Sequence, residues 1–525
     1  MNLKQQLDNK PELQKHLFEK GFLITDNDFS NCINTYPFYG NWVIHRIGNY
    51  YFYTYKTLDL FIKESNGIAL FLVGHAYNPF DMEYDENAIL ERLISLDDKD
   101  FWKYEADLTG VYVMGIICSD GSITHWSDCA GMRISYYGFV DNRYYITSHV
   151  NIVASLCKLH EDAYIKALKS NRYFHLFGNV LPADYSVYSE LKRTVPNHTY
   201  SNSGEIKRFY PFEKIEVCKS EEEYHEVLTE SAQILRKTLD LCSKKWNGKR
   251  IYISVTGGKD SGETLASANG NYDCFRYFSY VSKPEEKVDA DAASYICSKL
   301  GLAHKVILIP NQSKSNDDFD LLNEIIFTNG GSIGYISPNE VRKRLILIQN
   351  HEIDLEIKSW VNEITRAYWY KKYNKSRFPK KPSGKYLATL YKVFLENRIL
   401  FSKTSKAFSK YIEQYLGDED ISLVGDWTTL WSWEFGFSAG EGLSLICEHL
   451  LSYDITIPYN NRHLVSLMLR PKTNDRINDR LQIDLIALNN PKQALLNVSV
   501  TNVAHTRKRA VLEKAYLLIN SHLPF

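Results

Sequence analysis

The order of apolar and polar positions divides the chain into two unlike halves. Up to about residue 210, short runs heavy in Tyr, Phe, Val and Ile recur between turn signals: NWVIHRIGNYYFYTY (Asn41–Tyr55), GIALFLVG (Gly67–Gly74), GVYVMGIICSDGSITHWS (Gly110–Ser127) and RYYITSHV (Arg143–Val150). β-Branched and aromatic side chains suit a pleated, half-buried surface, so these runs predict strands. In the third run, SDG at Ser119–Gly121 between apolar stretches predicts a hairpin. Helical periodicity interrupts the strands at Glu86–Leu96 and Asn151–Leu168.

After a polar stretch near Ser201–Lys207 the period changes. EEEYHEVLTESAQILRKTLDLC (Glu221–Cys242) reads as a helix leading into the strand RIYISV (Arg250–Val255). Strand FRYFSYV (Phe275–Val281), helix VDADAASYICSKLG (Val288–Gly301) and strand HKVILI (His304–Ile309) follow. This βαβαβ rhythm predicts a parallel sheet with ligand chemistry at the carboxyl ends of its strands. IDLEIKSWV (Ile353–Val361) reads as a further strand, with one long amphipathic helix over Ile353–Tyr368 as the alternative. Lys371–Lys385, rich in Lys and Pro, reads as an exposed loop, and the rest to Phe525 as mostly helical.

Candidate chemistry concentrates where RIYISV runs into TGGKDSGETLASA. Gly257 and Gly258 let backbone N–H groups approach an anion without obstruction from a Cβ. Thr256 and Ser261 add hydroxyl donors, and the helix that follows adds the positive end of its dipole. Asp260 suits a magnesium ion bridging phosphate oxygens better than phosphate itself. Lys259 either offsets phosphate charge or points into solvent. A Walker loop would need G-x-x-x-x-G-K-S/T, which is not present here.

Bulk properties narrow the field. A chain of 525 residues exceeds one core and implies two domains or more. A hydrophobic share of 44% is ordinary for a globular protein, and a net charge of −1 gives no electrostatic footprint for nucleic acid or membrane. MNLKQQLDNK lacks the apolar core of a leader, and no run approaches a membrane span, so a cytoplasmic protein is expected. Nine scattered cysteines without CxxC read as small buried thiols, and the fifteen histidines show no ligand spacing. YWYKKY (Tyr368–Tyr373) is open to two readings, a nucleic-acid stacking surface or a helix end with lysines reaching to solvent.

The T-G-G-K-D-S loop after a strand resembles the signature of the PP-loop ATP pyrophosphatases, which cut ATP between the α and β phosphates and hold pyrophosphate in the loop. Beyond the loop, the order of motifs is similar to the asparagine synthetase family over nearly the whole chain. LFLVGHAYNPF (Leu70–Phe80), LTGVYVMGIICSDGSITHWSDCAGMRISYYG (Leu108–Gly138) and LPADYSVYSELKRTVPNHTY (Leu181–Tyr200) resemble that family's glutaminase domain and linker. SWVNEITRAY (Ser359–Tyr368) falls where the family has G-D-G-A-D-E-x-x-x-G-Y, and ITIPYNNRHLVSLMLRP (Ile455–Pro471) resembles R-x-P-F-L-D-x-x-L-V-x-x-A-x-x-L-P.

The resemblance implies an α/β fold in two parts. Residues 1–210 would form a degenerate glutaminase-like, Ntn-type α+β sandwich, and 211–525 a PP-loop parallel-sheet synthetase domain with a helical C-terminal part. It implies an AMP-forming carbon–nitrogen ligase that uses ATP and Mg²⁺ to adenylate a small-molecule or peptide carboxylate for attack by an amine or ammonia. Val255, Thr256, Gly257, Gly258, Lys259, Asp260 and Ser261 would hold the nucleotide, Asp260 and Glu363 the metal. Glu363, Tyr368 and Lys492 would be catalytic, Lys492 steadying the charge of the adenylate reaction, with Arg366 as a further candidate for the same cleft.

Two departures stand out. The family's glutaminases carry a nucleophilic cysteine where this chain has Asn2, so no ammonia is expected from glutamine, as in β-lactam synthetase-like and lasso-peptide-cyclase-like relatives. The family's metal-binding Asp falls on Asn362, a poorer magnesium ligand, so Glu363 takes over or the second ion binds weakly. An RNA-modifying PP-loop enzyme and a non-catalytic pseudo-synthetase subunit stay open as other functions. A homodimer also stays open.

Overall fold

The computed structural model describes residues 2–171, 174, 180–309, 317–333, 338–350, 352–375, 377–391, 397–447, 449–498, 500, 511, 514–515 and 517–519. Of the mostly helical stretch expected up to Phe525, the described residues carry helices that include Arg398–Tyr415, Arg462–Leu469 and Arg480–Asn489, while 501–510 and 520–525 lie outside them.

The chain is a mixed α/β protein, with three sheets among the described residues, two antiparallel and one parallel. Twelve strands precede residue 210 among the described residues: β1 (Phe22–Thr25), β2 (Trp42–Ile47), β3 (Tyr50–Tyr55), β4 (Leu60–Ser65), β5 (Ile68–Tyr77), β6 (Thr109–Cys118), β7 (Ile123–Ser127), β8 (Tyr136–Val140), β9 (Arg143–Thr147), β10 (Leu191–Arg193), β11 (His198–Ser201) and β12 (Ile206–Arg208). They form two antiparallel sheets, ordered β10-β8-β9-β1-β3-β2 and β12-β11-β7-β6-β5-β4. Alternation along β5 shows why they stack. Phe71 and Val73 point into the core shared with the first sheet, where Phe52 meets Phe71 edge-on at 5.0 Å. Leu70 and Leu72 point the other way, into a second cluster with Ile89, Leu90 and Leu93 of the helix Glu86–Ile94. A side-chain period of two thus gives this sheet two buried faces. The SDG turn does join β6 to β7 antiparallel, pairing Ile117 with Ile123.

The long helix expected at Asn151–Leu168 is two helices, Val150–Cys157 and Ala163–Lys169. Lys158 closes the first with φ 56°, and Asp162 caps the second with bonds from the Tyr164 and Ile165 N–H groups. The left-handed residue satisfies the end of one helix and turns the chain before the next cap.

After the helix Glu221–Lys245 come β13 (Ile251–Ser254), β14 (Arg276–Val281), β15 (His304–Leu308), β16 (Leu355–Ile357) and β17 (Asp454–Thr456). They form a five-stranded sheet, β15-β14-β13-β16-β17, with every pair parallel. From β13 the chain moves outward through β14 to β15, then returns to the other side of β13 with β16. The strand order therefore reverses at β13, which opens a crevice at its carboxyl end. The alternative of one helix over Ile353–Tyr368 is excluded, though only Leu355–Ile357 of the expected strand is extended in the sheet.

The Lys371–Lys385 segment departs from the exposed loop expected of it. A helix Tyr368–Tyr373 begins it, Phe378 is buried against Tyr370 and Trp427, and the Trp427 indole donates to the Pro379 carbonyl at 2.8 Å. Trp369 of the YWYKKY run stacks on Trp431 at 4.8 Å and Tyr373 is buried, so packing consumes two rings of the supposed stacking surface. Among the described residues, no helix is long and apolar enough to cross a membrane.

Candidate functional site

At the end of β13, the Val255 N–H still bonds the Phe278 carbonyl of β14, and the chain then turns through Thr256, Gly257 and Gly258 into the helix Lys259–Ser267. Two hydroxyls hold the turn. Ser261 Oγ accepts from the Thr256 N–H at 3.0 Å and lies 2.9 Å from Thr256 Oγ1, which accepts from the Gly258 N–H at 3.1 Å. Gly258 occupies the N-cap position, and no side chain caps the helix. Uncapped first-turn N–H groups and the helix dipole together make an anion-binding end. Gly257 is required by close approach, since a Cβ there would fall 2.3 Å from Cγ2 of Val500, whose N–H donates to the Gly257 carbonyl.

Three parallel strand ends border one cleft of about 300 Å³. Its lining includes Thr256, Asp260 and Ser261 from the loop, Tyr280 near the end of β14, Glu286 and Asp289 of the helix Pro284–Leu300, and Lys358 and Glu363 after β16. Asp260 and Glu363, 103 positions apart in the chain, thus face the same space. Between β16 and Glu363, Val361 sits at φ 81°, a strained conformation for a β-branched residue. It starts the tight turn Asn362–Arg366 that carries Glu363 and Arg366.

The carboxylates are unevenly satisfied. Asp260 pairs through one oxygen with Arg366, while its Oδ1 is buried without a hydrogen-bond partner. Glu363 Oε2 and Glu263 Oε1 are buried and unpartnered too. Burial pushes the Asp260 carboxyl up against the pull of Arg366. Burial, and then the Asp260 charge, raises Glu363, and burial pushes Glu263 up to about 8. Asp479 behaves oppositely. Burial works against its charge, but hydrogen bonds from Arg366 and Lys371, joined by Lys259 at 2.9 Å, hold its carboxyl well below the usual range. Asp479 thereby gathers the cations beside the loop.

Among the described residues, no three His, Cys, Asp or Glu side chains gather closely enough to hold a metal ion by themselves. Magnesium asks less of a protein, commonly one or two carboxylates with phosphate oxygens and water completing the shell. The orphaned oxygens of Asp260 and Glu363 fit that donor set. Asn362 does not: its amide donates to Glu263 Oε2 at 2.9 Å, and its Oδ1 accepts from Gln482 at 3.1 Å. An aspartate there would lose the donor to Glu263, so in this structure the amide bridges Glu263 and Gln482.

Lys259 is tied to Asp479 instead of pointing into solvent. Tyr368 is 46% exposed against Trp369 and is not brought into the cleft lining. Lys492 is exposed on the short helix Pro491–Ala494, where its neighbour Gln493 reaches the loop helix, donating to the Gly262 carbonyl at 2.7 Å. Successive helical residues point about 100° apart, so the helix cannot present both to the site. Glu263, Lys358 and Asp479 were missed by sequence reasoning. Lys358 gave no distinct signal among the alternating charges Asp354, Glu356 and Lys358 of its run, whereas the Glu three residues after Asp260 was the signal for Glu263. Asp479 gave none.

No family model matches the chain, and no curated protein matches it. Among solved structures it is similar to the allosteric regulatory enzyme of purine biosynthesis, at 11% identity over 69% of this chain and 72% of that one, with a TM-score of 0.24. It is also similar to the glutamine phosphoribosylpyrophosphate amidotransferase from B. subtilis complexed with ADP and GMP, at 10% identity over 69% and 74%, with a TM-score of 0.20. Likeness this faint decides neither fold nor chemistry.

Proposed function

We propose that this chain is an AMP-forming carbon–nitrogen ligase that binds ATP with its pyrophosphate end on the loop Thr256–Ser261. The observation carrying this reading is the meeting, at the reversal point of a parallel sheet, of an uncapped helix N-terminus with the unpartnered oxygens of Asp260 and Glu363. Those two carboxylates would hold a magnesium ion, which when bound offsets the charge of phosphate oxygens. Thr256, Ser261 and the first-turn N–H groups bind the departing pyrophosphate, and Arg366 fixes the Asp260 carboxylate. A carboxylate oxygen of the substrate attacks the α-phosphorus, and the bond to the α–β bridging oxygen breaks with its electron pair leaving on pyrophosphate. An amine then attacks the acyl carbon, AMP leaves, and one proton is released. The amine comes from a substrate rather than from glutamine, since the Asn2 side chain caps the helix Leu3–Asn9 by accepting from the Gln5 N–H.

The test is turnover of the full-length chain with ATP, Mg²⁺ and a panel of carboxylates and amines. AMP and pyrophosphate in equal amounts are expected, with no glutamate released from added glutamine. ADP as the product overturns the proposal. The Arg366–Asp260 pair favours a second reading, a non-catalytic subunit, and MgATP binding without turnover on any substrate would support it.

A further inference from the structure

The turn Asn362–Arg366 is moored to the loop helix Lys259–Ser267 at both of its ends, and the two moorings differ in kind. At the far end Arg366 pairs with Asp260. At the near end the Asn362 amide donates to Glu263 Oε2 at 2.9 Å, with both residues fully buried. Asp260 and Glu263 stand three residues apart, on one face of the helix. The turn therefore lies along that face, and Glu363 sits directly beside the Asn362 mooring.

The far mooring is shared. Arg366 also donates through Nε to Asp479 Oδ1 at 2.8 Å and through Nη2 to Asp479 Oδ2 at 3.2 Å, so it has an anionic partner whether or not it holds Asp260. The near mooring is backed instead. Gln482 donates to both Asn362 Oδ1 and Thr365 Oγ1 at 3.1 Å, and Thr365 Oγ1 donates to the Asn362 carbonyl at 2.8 Å. Tyr459, after β17, sets its hydroxyl beside the same Glu263 carboxylate. Thr264 Oγ1, 2.7 Å from Ser359 Oγ, ties only the segment ahead of Val361. Val361 itself, at φ 81°, holds a conformation that β-branched residues avoid, and two carboxylates facing one cleft repel when both are ionised. Backbone preference and charge thus both work against keeping Glu363 beside Asp260.

We infer that Glu263 is a positioning residue of the proposed metal site: the hydrogen bond it accepts from Asn362 keeps Glu363 against Asp260 independently of Arg366. This rests on the reading of Asp260 and Glu363 as magnesium carboxylates. Glu263 does not line the cleft and acts through Asn362. A partner that orients a metal-binding carboxylate in this way sets the affinity of the site without touching the ion.

The experiment titrates full-length protein with inorganic pyrophosphate by calorimetry, once with Mg²⁺ and once with EDTA, and reads the ratio of the two affinities. Wild type should bind pyrophosphate tighter with Mg²⁺. Glu263→Met should lower the ratio roughly 10-fold, the scale of losing a partner that orients a metal ligand. Glu263→Gln should keep the wild-type ratio, because its side-chain carbonyl still accepts from Asn362. Asn362→Ala removes the donor from the other end and should lower the ratio as much, and the double variant Glu263→Met/Asn362→Ala should lower it no further. A thermal melt checks that each variant is folded, and Asn362→Ala decides the matter should Glu263→Met not fold. An unaltered ratio overturns the positioning role, as does a loss of affinity in equal measure with Mg²⁺ and with EDTA, which would mark Glu263 as packing for the loop. A Glu263→Gln variant as weak as Glu263→Met overturns it too, since charge and not the hydrogen bond would then be what counts. Wild type that binds pyrophosphate no tighter with Mg²⁺ overturns the metal reading of Asp260 and Glu363 itself.

Discussion

Glu363 has a buried carboxyl with one unpartnered oxygen, on a turn that opens with a strained valine. Such a group adds little to folding, because nothing in the protein rewards its charge. Its neighbour Asn362 is the reverse, with its amide donor and acceptor both engaged. The two adjacent residues therefore separate function from structure. Glu363→Gln should lower the rate of the proposed ligase reaction roughly 100-fold, the scale of removing one preorganised electrostatic group, while leaving the melting temperature nearly unchanged. Steady-state rates and a thermal melt on one preparation check this. Normal turnover in the variant would leave Asp260 as the only carboxylate of the site.

At the scale of elements, the segment after Glu363 shows composition misleading and packing deciding. Arg377, Lys380 and Lys381 with three nearby prolines and glycines resemble solvent-exposed chain, yet Phe378 is 8% exposed between Tyr370 and Trp427. Lys and Pro need only be exposed at their own positions, and one aromatic between them is enough to moor the stretch. Phe378→Ala should cost about 3 kcal/mol, as buried aromatic truncations do, against under about 0.5 kcal/mol for an exposed loop. The shift in urea midpoint distinguishes the two. β16 is the complementary case. Three residues of ladder suffice because both neighbours, β13 and β17, are parallel partners that fix its register.

Across the whole molecule, the two halves are joined by buried polar contacts rather than by a hinge. Arg462, 1% exposed, bonds both oxygens of Glu105 and the Ser127 carbonyl, while Asn460 and Asn461 donate to the Gly110 and Asp107 carbonyls. These residues follow β17, so the same sheet edge that opens the cleft is clasped by the antiparallel sandwich. His463 adds a titratable link, 2.8 Å from Asp107 with Glu230 beyond. Burial alone would lower its pKa, but the hydrogen bond and charge of Asp107 raise it above 6.5. A raised pKa means that the pair's stabilisation is full below pH 6.5 and is lost as pH climbs through the folded value. His463→Gln should therefore lower stability on the order of 0.5 kcal/mol at pH 5.5, as half-exposed pairs do, and less at pH 9. Equal losses at both pH values would show that packing against Phe80, and not charge, is what the imidazole contributes.

The sequence by itself determined what local pattern can determine. Side-chain period separated a strand-rich half from an alternating one, and the strand–glycine–helix junction at Thr256–Ser261 marked the candidate anion loop, because its chemistry is contiguous in the chain. It also brought Asp260 and Glu363 together, since strand ends of a parallel sheet share an edge. Tertiary structure alone decided the rest. Whether Lys492 or Lys358 faces the cleft depends on the rotation of one short helix and on the register of β16, neither of which leaves a local trace. Asp479 lies 219 positions after Asp260, and it became part of the site only when packing set its carboxylate against Lys259, Arg366 and Lys371. Long-range neighbours of this kind are fixed by how elements stack, and stacking energy is spread over many apolar contacts that no single residue type announces.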